Sequence, residues 1–142
     1  MREILFRGKR NDDGGEWHYG GYIHDDSVEP DVHIIMEHRG GVFRCVPVLP
    51  ETVGQFTGLT DKNGKRIFEG DILRHYNDSP YAGIEERGSV FWDEVFLCFR
   101  RTSNGGFHHG KVDTYRLSAK CDYEVIGDIY NNPELLEVSG DE

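Results

Sequence analysis

Glycine and proline interrupt this chain so often that only two segments, residues 89–104 and 111–126, exceed a dozen residues without either. Segments this short suit β-strands, which average about five or six residues, better than α-helices, which average about three turns. The 142 residues include 18 glycines but only two alanines. Because glycine costs about 1 kcal/mol relative to alanine at a helical position, an all-α fold is excluded.

The two long segments show the alternation of apolar residues that is typical of strands. In residues 89–104, apolar residues alternate on both sides of Asp93-Glu94, which predicts a hairpin or a strand bent at that acidic pair. In residues 111–126, every second position from Tyr115 onward is apolar, which predicts one continuous sheet face. The alternating residues of this second segment are Tyr115, Leu117, Ala119, Cys121, Tyr123 and Val125.

Turn residues separate the other predicted elements. Gly40-Gly41 predicts a tight connection, because glycine adopts positive φ without steric cost. Asp61-Lys62-Asn63-Gly64 predicts a hairpin, and Glu69-Gly70-Asp71 predicts a second sharp turn. Further strands are predicted at residues 4–7, 17–24, 31–37, 42–46, 57–60, 65–68 and 72–76. Short helical turns are predicted at residues 51–56 and 132–136, with Asn132 as the cap of the second, and loops at residues 77–83 and 102–110.

These elements predict a mainly β protein with few short helical turns. Strands of five to eight residues joined by tight turns usually close into a small barrel, which limits exposed strand edges. We expect an N-terminal β-meander extension over residues 1–48 and a small β-barrel over residues 49–142, as two parts or as one continuous domain.

The charge balance disfavours a nucleic-acid partner. Sixteen basic residues against 26 acidic ones give a net charge of −10, whereas nucleic-acid binders usually present a basic face. A local basic groove stays open as an alternative, built from short clusters that acids interrupt. The clusters are Arg7-Lys9-Arg10, Lys62-Lys65-Arg66 and Arg100-Arg101.

The cysteines and the N-terminus indicate a cytoplasmic protein. Cys45, Cys98 and Cys121 are odd in number and widely spaced, which fits reduced thiols better than disulfides or a zinc knuckle. Cys98 and Cys121 fall in strand patterns and are expected at or near the core. The first residues lack the apolar stretch of a signal peptide, and no segment has the roughly 20 apolar residues of a membrane span, so no membrane partner is expected.

Three segments together resemble one family. They are REILFR at residues 2–7, PETVGQFTGLTDKNGKRIFEGDI at residues 50–72, and YEVIGDIYNNPELL at residues 123–136. These segments are similar to the opening, central and closing motifs of the YopX family, small proteins of uncharacterised function encoded by phages and prophages. Gly8 and Lys9 depart from the alanine and tryptophan that members often have there. The resemblance implies an SH3-like barrel and a tendency to self-associate.

Two polar pairs are the first candidates for ligand contact. Gln55 and Thr57 alternate with Phe56 in a glycine-flanked segment that lacks the lysine of a phosphate-binding loop. A strand with Phe56 buried and the polar pair on its opposite face explains them without a ligand. Glu69 and Asp71 could share a metal or divide acid and base roles. A turn in which the carboxylates accept backbone N–H groups explains this pair equally simply.

Metal and catalytic sites are not predicted. His24 with Asp25 and Asp26, or His108-His109 with Asp113, could supply ligands, but neighbouring side chains on a strand point to opposite faces. These histidines are therefore expected to lie in surface loops, and no metal or other cofactor is expected. No serine or cysteine has the setting of a catalytic nucleophile. Whether the protein is an enzyme stays open, with a non-enzymatic role favoured.

Aromatic residues suggest a surface for a partner. Trp17 and Tyr19 near the N-terminus and Trp92 in the barrel region cannot all face a local core if side chains alternate. Exposed aromatics are typical of protein interfaces and of base-stacking platforms. We expect a non-enzymatic protein-binding or accessory module of a phage or prophage that forms homo-oligomers, with a host or phage protein as a second partner class. The alternatives are a nucleic-acid-associated barrel and, less favoured, a metal-dependent hydrolase.

Overall fold

A computed structural model describes residues 1–10, 12, 15–76, 83, 85–108 and 111–137; the side chains of residues 104–108 and 111–113 lie outside the description. Over these residues the chain is mainly β, as the sequence predicts, with eleven strands and two short 3-10 helices. No helix in this part of the chain is long and apolar enough to cross a membrane. The strands are β1 Phe6–Lys9, β2 Trp17–Asp25, β3 Val32–Arg39, β4 Val42–Pro47, β5 Gly54–Thr60, β6 Arg66–Phe68, β7 Asp71–Tyr76, β8 Glu85–Asp93, β9 Cys98–His108, β10 Lys111–Arg116 and β11 Glu124–Asp128; the helices are Pro50–Thr52 and Pro133–Leu136.

The chain divides into two compact units, Met1–Gly58 and Leu59–Glu142. In the first unit the strand order is β4-β3-β2-β1-β5, and in the second it is β10-β9-β8-β7-β11, with antiparallel pairing in both. Neither run closes on itself among the described strands, because its first and last strands do not pair with each other. The predicted mainly β class is confirmed, and the SH3-like barrel is not.

The first unit is built on the β2-β3-β4 meander. Arg39 faces Val42 across the turn, and Gly40 and Gly41 have φ of 60° and 80°, the conformation that the paired glycines predict. Its core contains Ile35, Val46 and Val48, against which Phe6, Tyr22 and Val53 pack.

At Gly20 the strand β2 changes partners. Phe6 on β1 faces Gly20, and the next residue, Gly21, faces Met36 on β3. A Cβ at Gly20 would overlap the Met36 carbonyl oxygen and lie 2.7 Å from its carbonyl carbon, whereas Gly21 has open space around it. The close backbone approach at this change of partner therefore requires glycine at position 20.

The second unit has its core on one face of its sheet. Ile67, Leu73, Val90 and Tyr123 are buried together, and Leu59, Leu117 and Val125 pack against them. The predicted hairpin at Asp93-Glu94 is confirmed, because β8 and β9 pair on either side of a turn at residues 94–97.

Asp61 fixes the turn between β5 and β6. Its Oδ1 accepts the backbone N–H groups of Asn63 (2.8 Å) and Lys65 (2.9 Å), and its Oδ2 accepts that of Val125 (3.0 Å). Gly64 has a φ of 83°, and the Asp61 N–H donates to the Lys65 carbonyl. The buried carboxylate thus connects this predicted turn to β11.

Several predicted elements differ in detail. The segment 111–126 is not one strand, since β10 and β11 flank a turn at residues 119–120, where the Tyr123 hydroxyl accepts the Ser118 N–H at 3.2 Å. Cys121 is therefore exposed rather than near the core, while Cys98 is half-buried. The predicted loop 102–110 is largely strand β9. The predicted loop 77–83 lies outside the described residues except at Gly83.

Both predicted helical turns are short 3-10 helices. The first helix ends at Thr52 and β5 begins at Gly54, so the predicted helical turn at residues 51–56 is shorter than expected. At Pro133–Leu136 the Asn132 side chain does not cap the helix; its Oδ1 instead accepts the Asp128 backbone N–H at 3.3 Å.

Candidate functional site

The turn between β8 and β9 presents three consecutive apolar side chains to solvent. Val95 is 82% exposed, Phe96 65% and Leu97 71%. We call residues 93–97 the apolar tip. Burying a Val, Leu or Phe side chain is worth about 1.5–3 kcal/mol, so leaving three adjacent ones in water gives up a substantial stabilisation.

The backbone of the apolar tip is held in one conformation. Asp93 Oδ1 accepts the N–H groups of Val95 (2.8 Å) and Phe96 (3.2 Å). Leu97 has a φ of 54° and is the one non-glycine residue with positive φ in the described part of the chain. A left-handed conformation costs a residue with a Cβ about 1–2 kcal/mol. The tip is thus a fixed, strained turn, and strain of this kind concentrates at functional sites.

Aromatic and charged groups flank the apolar tip. Trp92, which is 41% exposed, packs edge-on against Phe99 with ring centroids 5.0 Å apart. The Arg100 guanidinium lies 5.6 Å from the Phe96 ring centroid, and its Nε is 3.5 Å from Asp93 Oδ2. Arg100 and Asp93 form an ion pair, and the other acid of the tip, Glu94, is exposed beside the three apolar side chains.

Replacing Leu97 by glycine should stabilise the second unit by about 0.5–1 kcal/mol, because glycine relieves the left-handed strain and little buried contact is lost. Urea unfolding at high dilution, where the protein is monomeric, measures the change by fluorescence. Val95→Gly is the matched control. Val95 lacks a positive φ, so this variant should lose a similar amount of stability instead of gaining it. A Leu97→Gly protein less stable than wild type would contradict a strained tip.

Gln55 and Thr57 lie on the half-buried face of β5. Phe56 between them is buried, as the strand interpretation predicts, and Gln55 faces Phe6 across the β1–β5 pairing. The structure therefore places the two polar side chains on a rigid strand, and their role in ligand contact stays a prediction.

Glu69 and Asp71 lie on either side of a tight turn. Asp71 is buried, and its Oδ2 accepts the Phe68 backbone N–H at 2.8 Å. Gly70 between them has a φ of 89°, and its N–H donates to the Val90 carbonyl. Glu69 is half-buried. The Asp71 carboxylate thus has the backbone contact that the turn interpretation requires.

Trp17 and Tyr19 are two residues apart on β2 and face Lys9 and Arg7 of β1. The Arg7 guanidinium lies 3.9 Å from a Trp17 ring centroid, and Lys9 Nζ lies 4.6 Å from it. Tyr19 is exposed. Trp17 therefore serves as a platform for two cations, an arrangement worth about 0.5–2 kcal/mol per pair.

The second unit contains a buried polar network that sequence reasoning missed. Glu86 and Arg101 are buried 3.5 Å apart, and the Ser103 hydroxyl donates to Glu86 Oε1 at 2.7 Å. His75 Nε2 lies 3.4 Å from an Arg101 guanidinium nitrogen. The sequence does hold one indication of this network: Glu86 and Val90 are an even number of residues apart, so on one strand they point to the same, buried face. Removing one partner of such a buried pair is strongly destabilising, because the other charge is left buried and uncompensated.

One cluster of metal-ligating residues is present in the described part of the chain, and it differs from both expected sets. His24 contacts Asp31, which also contacts His33. Asp25 instead accepts hydrogen bonds from the Ser27 hydroxyl and backbone N–H, which lower the pKa of its carboxyl. For the other expected set, all of His109 and the side chains of His108 and Asp113 lie outside the described residues.

Comparison with known proteins gives one family. The sequence profile described as YopX protein matches residues 5–137. No curated protein matches the chain. Among solved structures, the crystal structure of protein EF1440 from Enterococcus faecalis is similar, with 24% sequence identity and a TM-score of 0.49 over 96% of this chain and 100% of that chain.

Proposed function

The chain belongs to the YopX family, and from this premise we propose that it is a non-enzymatic accessory module that binds a second copy of itself through the apolar tip. In this proposal it acts in the cytoplasm of a bacterial host, and its gene belongs to a phage or prophage. Support for self-association comes from one observation above all: three adjacent apolar side chains are exposed on a turn whose backbone is fixed.

The fixed turn favours binding because little order has to be imposed on association. Ordering a mobile loop or side chain opposes binding by about 0.5–1.5 kcal/mol per side chain. Here the Asp93 hydrogen bonds already hold the backbone. A dimer that covers Val95, Phe96 and Leu97 on both copies therefore loses little of its hydrophobic gain to ordering of the turn.

A second copy is favoured over an unlike partner because of the charge pattern. The tip carries little charge to attract an oppositely charged partner, since Asp93 forms a pair with Arg100 and Glu94 is the one further charged residue within residues 93–97. An apolar patch complements another apolar patch, and a two-fold axis brings the same patch of each copy together. The net charge of −10 opposes self-association at low ionic strength, so added salt should strengthen the dimer.

The two alternatives have less support. In the expected basic clusters, Arg7 and Lys9 are buried over Trp17 and Arg101 is buried beside Glu86, which leaves fewer cations for phosphate contacts. The hydrolase has less support because the Asp71 carboxylate, one of its expected groups, is buried and already accepts a backbone N–H.

Replacing Phe96 by aspartate should weaken self-association at least about tenfold, because a charge cannot be buried in an apolar contact without a large desolvation cost. Sedimentation equilibrium over a concentration series in 0.15 M salt measures the dimer dissociation constant.

Phe43→Asp is the matched control. Phe43 is 69% exposed on β4 of the first unit, so the substitution removes an equally exposed phenylalanine and adds the same charge elsewhere. A wild-type protein that stays monomeric at high micromolar concentration would exclude the second copy as occupant. A dimer that Phe43→Asp disrupts and Phe96→Asp does not would place the contact on β4 instead.

A further inference from the structure

Two histidines and one aspartate converge where β2 and β3 meet their connecting segment. His24 Nε2 and His33 Nε2 each lie 3.1 Å from Asp31 Oδ2, and the three ligand atoms all lie within 4.8 Å of one another. We propose that His24, Asp31 and His33 bind one Zn²⁺ ion through these atoms.

Strand register brings the two histidines together. His24 on β2 directly faces His33 on β3, so both side chains project from the same face of the sheet. Their rings stack with centroids 4.3 Å apart and an angle of 14° between the planes. Two ligands of the site are therefore placed by the backbone pairing of the first unit.

The separations are close to those of a zinc site. Zinc binds imidazole nitrogen and carboxylate oxygen at about 2.0–2.2 Å with tetrahedral geometry, which puts neighbouring ligand atoms about 3.3 Å apart. Both His–Asp separations here are 3.1 Å. Small side-chain shifts admit the ion, which replaces the hydrogen bonds between the rings and the carboxylate.

Tyr22 orients one of the ligands. Its hydroxyl oxygen lies 2.6 Å from His33 Nδ1, which leaves Nε2 of the same ring directed at Asp31. A partner on the second ring nitrogen is the usual arrangement around a metal-bound histidine, because it fixes the tautomer and the ring plane. The His33 side chain is largely buried and that of His24 is half-exposed, so the site is both held and accessible.

The donor set selects the class of ion. Two imidazoles and one carboxylate suit zinc and related transition metals, whereas calcium and magnesium prefer six or more oxygen ligands. Asp25 at the end of β2 and Asp26 and Glu29 in the connecting segment add negative charge, which favours a cation. The His24 and Asp31 side chains are about half exposed, so a water molecule can reach the ion as the fourth ligand.

Calorimetric titration of chelator-treated protein with zinc chloride tests the site. We expect one equivalent to bind, and His24→Asn or Asp31→Asn should raise the dissociation constant at least about tenfold, the size of effect that lost second-shell contacts already cause. His38→Asn is the control, since His38 is an exposed histidine on the same strand β3 and should leave zinc affinity unchanged.

Two further measurements keep folding and binding apart. Circular dichroism establishes that each variant is folded, and the visible spectrum of added Co²⁺ should show a four-coordinate ion in wild type but not in Asp31→Asn. Absence of zinc binding, or binding that His38→Asn reduces as much as His24→Asn does, would overturn the proposal. Equal affinity for magnesium or calcium would overturn the choice of ion.

Discussion

An alanine at Gly20 should destabilise the first unit by about 3 kcal/mol or more. The added Cβ would overlap the Met36 carbonyl oxygen and lie 2.7 Å from its carbon. These are backbone atoms in the middle of β3, so no side chain can move aside to make room. Relief requires β2 and β3 to separate where Ile35, next to Met36, is buried in the core.

Gly21→Ala is the internal control for this prediction. It lies one residue further along β2, and an added Cβ there has no heavy atom within 4 Å. We expect the free energy of unfolding to change by at most about 1 kcal/mol. At an unstrained position, replacing glycine by alanine chiefly lowers the conformational entropy of the unfolded chain. Urea unfolding followed by Trp17 fluorescence, in a Trp92→Phe background, reports on the first unit. Equal losses in the two variants would refute the close approach at Gly20.

Replacing Asp61 by alanine should cost the second unit about 3–5 kcal/mol. The buried carboxylate accepts three backbone N–H groups, and hydrogen bonds to a charged group contribute about 1.5–3 kcal/mol each without full additivity. Asp61→Asn keeps one acceptor oxygen and should lose about half as much. Thermal or urea unfolding measures both variants, and an Asp61→Ala loss below about 1 kcal/mol would contradict this role.

The same residue predicts a pH dependence. Burial raises the pKa of the Asp61 carboxyl, but the N–H groups of Val125, Lys65 and Asn63 lower it more, so its pKa in the folded protein is below the ordinary value. A depressed folded pKa stabilises the fold above the unfolded pKa, near pH 4, and the stabilisation is lost as the pH falls through the folded pKa. Below pH 4 the wild type should therefore lose stability faster than Asp61→Asn, as measured by unfolding at stepped pH.

The turns were the most predictable part of the fold. Gly40-Gly41 and Asn63-Gly64 have few alternatives, because the positive φ that the observed turns require is open chiefly to glycine. The segment 111–126 was predicted wrongly as one strand for a related reason. It has no glycine or proline to mark the turn, and its alternating apolar residues continue through an irregular stretch that side-chain hydrogen bonds stabilise.

The sites were less predictable because they depend on pairing. The alternation of Val95, Leu97 and Phe99 indicated a strand, yet Val95 and Leu97 lie in the turn. They are exposed because β8 ends at Asp93 and β9 begins only at Cys98. His24 and His33 are nine positions apart, and only the β2–β3 register makes them neighbours. Sequence proximity instead made Asp25 and Asp26, which follow His24 directly, the candidate partners of His24 in a metal site.

The link from Asp61 to Val125 also bears on the order in which the chain acquires structure during translation. The core around Ile35 is built from side chains within residues 1–58, so this part can fold while the ribosome is still at work. The other part has to wait, since β7 pairs with β11 and the β5–β6 turn is secured by a residue 64 positions later. Until Val125 has been made, its apolar strands stay exposed to chaperones, proteases and neighbouring nascent chains.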